Sequence, residues 1–207
     1  MKFESLRRFD RQAVNLLCLV PASVLTIQYF QNRLGPDPVQ ILERRTGDVA
    51  LVLLLLSLVF TPLRVITGFN RGVKYRRITG LYAFYYSAAH FLIYLGLDYG
   101  FDFSLVTRTI LHSSYLWLGL IALLILATMA LTSTDGWKLR LGRNWKRIHR
   151  FVYLASLLVV LHFALAKKGD LFRLRGEVLF PLIGLGVWAI LMLLRLPPIK
   201  KWVSRFK

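Results

Sequence analysis

At 207 residues, 56% hydrophobic and only 18% charged, the chain is too apolar for a soluble globule, in which about a quarter of residues are charged. Its net charge of +18 raises nucleic-acid binding as a function class. The placement of that charge excludes it, because the basic residues alternate with long apolar runs, which is the pattern of membrane topology.

Six runs hold no Asp, Glu, Lys or Arg: residues 12–31, 49–63, 78–97, 109–134, 151–166 and 178–194. Runs of roughly 17–25 apolar residues match a bilayer, and snorkelling arginines extend the two shortest. The chain therefore reads as an all-α integral membrane protein. It is expected to be a single domain over 1–207, a bundle of six transmembrane helices at 12–31, 47–66, 77–97, 110–133, 148–167 and 178–196. The first run starts basic like a signal peptide, but it is long and lacks a small-x-small cleavage site. It reads as a retained anchor with a kink point at Pro21. The single cysteine, Cys18, lies inside it, which excludes an intramolecular disulfide and a Cys-ligated iron–sulfur cluster.

Twenty of the 28 basic residues fall in the N-terminal tail, loops 64–77 and 135–150, and the C-terminal tail. The Lys/Arg excess marks the cytoplasmic side, so both termini are placed there. The opposite loops, 32–48, 98–108 and 167–177, carry Asp37, Glu43, Asp48, Asp98, Asp102, Asp170 and Glu177 against a similar number of bases. Such mixed charge can fix register with a docking protein.

The third and fifth runs resemble each other. YRRITGLYAFYYSAAHF (75–91) and WKRIHRFVYLASLLVVLHF (145–163) both pass from an aromatic through two basic residues and Ile to His-Phe, with a two-residue shift. Both helices leave the cytoplasmic side, and His90 and His162 stand roughly 20 Å up from the basic edge at 1.5 Å per residue. Ionisable residues in a membrane point to function, and two imidazoles at one depth suit the axial positions of a haem. Zinc fits less well, since no carboxylate or thiolate lies at that depth to complete its shell. Ser87, Ala88, Ala89 and Gly96 on one helix, and Ala155, Ser156 and Ala164 on the other, could leave the room a haem needs.

His149 sits near the cytoplasmic edge and, on an ideal helix, about 140° around from His162. Its counterpart in the repeat is Thr79 or Arg77, neither a good haem ligand, so a second, inner haem would have His149 and no obvious partner. His112 opens the fourth run on the outer side, either solvated or bonded to a haem propionate. Arg77, Arg147 and Arg150 at the inner edge are candidates to hold a flavin phosphate or haem propionates, or simply to anchor the inner side.

The stretches LGPDPVQILERRTG (34–47), TPLR (61–64), YRRITGLYAFYYSAAHFLIY (75–94), LTSTDGWKLRLGRNWKRIHRFVYL (131–154) and LHF (161–163) carry a resemblance over nearly the whole chain. The chain resembles the ferric-reductase-like transmembrane family, and within it the bacterial MsrQ branch. One departure is Ser113–Ser114, where the family more often has an Arg-Pro-aromatic turn.

The resemblance implies a haem b subunit of the bacterial inner membrane. Such a subunit takes electrons from the quinol pool and passes them to a periplasmic molybdopterin-containing reductase, which repairs methionine sulfoxide in oxidised proteins. It implies axial ligation by His90 and His162, His149 as the third family histidine, and an association with FMN that no residue set here places. It also implies an electron-transfer subunit with no catalytic residues of its own. The alternative is a stand-alone transmembrane ferric or quinone reductase.

The residues agree in outline: there is no GxGxxG fingerprint for a dinucleotide and no Ser/His/Asp set in a pocket-forming context. A transporter using histidine proton relays is disfavoured by the lack of intramembrane Asp or Glu and of broken-helix Gly/Pro pairs.

Overall fold

The computed structural model describes residues 2–167, 169–170 and 175–199. Lys200, Lys201, Arg205 and Lys207 of the basic C-terminal tail, and Lys168 and Arg173, lie outside the described residues. Among those described, nine α-helices are joined by short turns, with one antiparallel pair of two-residue strands, Gly169–Asp170 and Arg175–Gly176. The chain divides into two compact units: Met1–Phe60 with Asn70–Asp102, and Thr61–Phe69 with Phe103–Lys207.

The first unit contains α1 (Lys2–Phe30), most of α2 (Pro38–Thr67) and α3 (Tyr75–Ile93). Helix α2 begins well before the expected residue 47. Asp37 Oδ1 accepts the Gln40 N–H at 3.0 Å, and Pro38 fills the first helical position, where an N–H has no partner to lose. Glu43 and Asp48, read as loop acids, therefore stand on a helix.

Leu54, Ser57 and Leu58 of α2 and Thr79 and Ala83 of α3 are almost wholly buried. The first helix is tied to the third by one hydroxyl. Tyr86 Oη donates to Cys18 O at 2.8 Å and accepts the Ala22 N–H at 2.9 Å. It is inserted between the two groups of a helical i→i−4 bond, one residue past Pro21, whose missing N–H already weakens the ladder there. Beyond α3 the chain widens into a π-helical turn, Tyr94–Asp98. Gly96 in that turn does not open space for a cofactor, because a Cβ there would lie 2.9 Å from the Phe101 ring.

The second unit contains α4 (Phe103–His112), α5 (Ser114–Leu131), α6 (Asp135–Leu141), α7 (Arg143–Ile148), α8 (Val152–Ala166) and α9 (Leu179–Leu193). The expected single span 110–133 is broken at Ser113, whose backbone is extended, so His112 ends one helix rather than opening the next. Loop 135–150 is itself helical. Thr134 caps α6 through the Trp137 N–H, and Gly142 at φ +50° turns the chain into α7.

Helix α8 packs against α5 and α9. Ala155, Ser156 and Val160 are 0% exposed, and Ser156 Oγ accepts Trp188 Nε1–H at 3.0 Å while donating to Tyr153 O at 2.9 Å. The small residues of α8 are thus committed to helix packing, which in a bilayer rests on close approach and interhelical hydrogen bonds.

Among the described residues, four helices are long and apolar enough to cross a membrane: Asp10–Phe30, Pro38–Thr67, Ser114–Leu131 and Arg143–Ala166. Of the other two expected crossings, α3 carries Arg76, Arg77 and several tyrosines in its 19 residues. The apolar α9 has 15 residues, a length of about 22 Å against a hydrocarbon core of about 30 Å. The outward faces are apolar, with Leu16, Leu17 and Phe30 of α1 and Leu124 and Leu131 of α5 all exposed.

Replacing Tyr86 by Phe removes the hydroxyl from between Cys18 and Ala22. Unfolding stability in detergent should fall by about 1–2 kcal/mol, read from denaturant titration of the purified protein. An unchanged midpoint would show that the bridge contributes nothing.

Candidate functional site

Two histidines, one in each unit, are held in the same way. In the first unit His90, near the end of α3 and half-buried, places Nδ1 2.9 Å from the backbone oxygen of Glu43 on α2. In the second, His162 on α8 places Nδ1 2.8 Å from the backbone oxygen of Tyr115 on α5. The interval between histidine and acceptor is 47 residues in both. Both imidazoles also lie over a glycine four positions after the acceptor. A Cβ at Gly47 would come within 3.2 Å of His90 Nδ1, and one at Gly119 within 2.9 Å of His162 Nδ1. The resemblance seen between the third and fifth runs therefore extends to the helix on which each histidine finds its acceptor, α2 for His90 and α5 for His162.

A carbonyl oxygen only accepts, so Nδ1 carries the ring proton in both residues and the ring lone pair is on Nε2. This arrangement fixes ring orientation and raises the basicity of the ligating nitrogen in metal-binding histidines. The Tyr115 ring flanks His162 at a centroid distance of 5.8 Å.

His149 is seated differently. It begins a 3-10 turn, His149–Phe151, between α7 and α8. Its ring stacks on Trp145 at 4.0 Å and 26°, and its Nε2 lies 3.3 Å from Thr132 Oγ1. The threonine proton goes to Thr128 O at 2.7 Å, so Nε2 is the donor and the neutral ring keeps its lone pair on Nδ1, the reverse of the other two. Trp145 Nε1 donates to Thr132 O at 2.9 Å, which closes a Thr132–Trp145–His149 cluster. The 3-10 turn changes the helix phase between His149 and His162. Its residues turn by about 120° rather than 100° each, which narrows the angle between His149 and His162 from about 140° to about 80°.

Arg147 and Arg150 flank His149 and are exposed, Arg147 donating to Asn144 Oδ1 at 3.3 Å. Arg77 is exposed in the first turns of α3 in the other unit. His112 is exposed and donates from Nδ1 to Arg108 O of its own helix at 2.7 Å. Gly47, Gly119, Thr132 and Trp145 were not singled out from the sequence. The signal for the glycines was available, since each stands the same distance before its histidine.

Among the described residues, no three or more His, Cys, Asp or Glu side chains come together to hold a metal ion. A bare ion needs about that many protein ligands, whereas a porphyrin supplies four nitrogens itself and asks the protein for axial imidazoles. Imidazoles with the proton pinned on Nδ1 and the lone pair on Nε2 fit the second requirement.

The family described as "Ferric reductase like transmembrane component" matches residues 46–160. The chain is 38% identical over 192 residues to the protein-methionine-sulfoxide reductase heme-binding subunit MsrQ of Rhodospirillum rubrum, covering 92% of this chain and 89% of the relative. It is 41% identical to that subunit of Xanthomonas axonopodis pv. citri over 183 residues, covering 84% of each. The corresponding Xanthomonas campestris pv. campestris protein is 40% identical over 186 residues, with 86% and 85% covered.

Nitrogen-15 histidine spectra of the cofactor-free protein at pH 8 should show the Nδ1–H tautomer at His90 and His162 and the Nε2–H tautomer at His149. A shared tautomer at all three would contradict the seating described.

Proposed function

Because the chain belongs to the ferric-reductase-like transmembrane family, a family of multi-pass membrane proteins, we propose that it is a haem b electron-transfer subunit of the bacterial inner membrane, a single cytochrome domain over 1–207. In this reading it takes electrons from the quinol pool and delivers them to a periplasmic molybdopterin-containing reductase that repairs methionine sulfoxide. The observation that carries it is the matched pair of imidazoles, each with Nδ1–H on a helix carbonyl and its lone pair on Nε2. The names of the relatives, heme-binding subunits of a methionine sulfoxide reductase, support the same reading.

His90 and His162 would be the residues that hold the haem, as imidazole ligands. When bound, haem supplies a centre that gains and loses one electron. The chain's part is to fix the two rings, each by an Nδ1–H donated to a backbone oxygen. The raised basicity of imidazoles hydrogen-bonded in this way favours the oxidised metal. His149, with Arg77, Arg147 and Arg150, marks the inner, electron-receiving side. His149 acts there either as ligand of a second haem or as part of the entry site, and the arginines are candidates for flavin phosphate or haem propionates. Anionic lipid headgroups meet the basic inner loops, and the partner docks on the mixed-charge outer loops.

Haem-to-protein ratio and absorption of the purified protein test the assignment. His90→Ala and His162→Ala should each abolish the Soret band. His149→Ala should leave it intact if there is one haem and roughly halve it if there are two. A normal Soret band in both of the first two variants would refute the ligand assignment. For orientation, reporter fusions should place loop 135–150 in the cytoplasm, and a periplasmic signal there would invert the proposed topology.

A further inference from the structure

The two imidazoles reach carbonyls that are already inside helices, which is an unusual target. In an α-helix each Cα–Cβ bond leans toward the N-terminus, so the Cβ of residue i+4 overhangs the carbonyl of residue i. A ring approaching that oxygen from the side meets this Cβ first. At both sites residue i+4 from the acceptor is glycine: Gly47 after Glu43, and Gly119 after Tyr115.

The clearance is graded. A methyl group at 119 would lie 2.9 Å from both Nδ1 and Cε1 of His162, and one at 47 would lie 3.2 Å from Nδ1 and 3.3 Å from Cε1 of His90. Carbon–carbon contacts are comfortable at about 3.5–4.0 Å. The obstructed atoms are Nδ1 and its neighbour, so the added methyl would push the ring off its own acceptor. Gly80 and Gly186, also in helices, behave otherwise. A Cβ at Gly80 would meet only Ser57 Cβ at 4.0 Å, and one at Gly186 would meet nothing within 4 Å.

We propose that Gly47 and Gly119 are positioning residues for the haem ligands: each leaves open the one lateral path by which the imidazole Nδ1–H reaches a helix carbonyl, and so sets the orientation and donor strength of the ligating Nε2. The inference rests on the haem reading for its redox consequence, but the steric part stands on the protein alone.

The test uses full-length protein in detergent, haem-loaded and haem-free. Gly119→Ala should shift the haem midpoint potential positive, because an imidazole that loses its Nδ1–H acceptor is a weaker donor. It should also move the low-spin ferric g-values and lower the haem-to-protein ratio. Gly47→Ala should do the same to a smaller degree, and Gly80→Ala and Gly186→Ala should leave all three readouts at wild type. Wild-type potential and g-values in Gly119→Ala would overturn the proposal.

A double-mutant cycle on haem-free protein covers the case in which Gly119→Ala loads no haem. The methyl should lower the melting temperature only when the ring is present, so Gly119→Ala/His162→Ala should melt with His162→Ala. If the double variant still carries the full loss, Gly119 serves backbone packing and the proposal falls. A Soret band that survives both His90→Ala and His162→Ala would instead fail the haem reading, with the cycle still reporting on the clash.

Discussion

The hydrogen bond from an imidazole to a helix carbonyl is the constraint around which each unit is organised. It requires a glycine at the crossing, two helices close enough for a side chain to span them, and a ring proton committed to Nδ1. In the first unit α2 and α3 meet these demands through Glu43, Gly47 and His90. In the second, α5 and α8 meet them through Tyr115, Gly119 and His162. The acceptor side chains share no chemistry, one a carboxylate and the other a phenol, because only their backbone oxygens are used. What the two sites share is position and the absence of a Cβ.

The contrast with His149 shows that a histidine in an apolar span is not one chemical object. Stacked on Trp145 and donating Nε2–H to Thr132, it offers the opposite nitrogen. The three histidines thus separate into two kinds by their hydrogen-bond partners.

Much of this was legible in the sequence. The helical class and the apolar spans follow from charge-free runs, and His90 and His162 stood out because histidine is costly in hydrocarbon. The early start of α2 was written in Asp37–Pro38 but masked by the polar residues that follow, which read as a loop. The break at Ser113 was hidden because the run around it stays apolar, and hydropathy does not register an extended residue between two helices. The glycines were passed over for another reason: Gly is common in membrane helices, and the equal spacing to each histidine has meaning only once the partner far along the chain is known. Ala155 and Ser156 were misread as room for a cofactor. Small residues create space or close approach equally well, and only the packing of α5 and α9 on α8 decides between them.

Pinning the Nδ1 protons also bears on charge balance. A redox centre held by such imidazoles has no ligand proton to give up or take on as its oxidation state changes. Electrons leaving the cytoplasmic side would cross unaccompanied, and each would move outward with the membrane potential, a gain of about 2.3 kcal/mol per 100 mV for a full traverse. In the proposed reading a current through such a centre would be electrogenic, with the ligand protons held in place by two backbone oxygens.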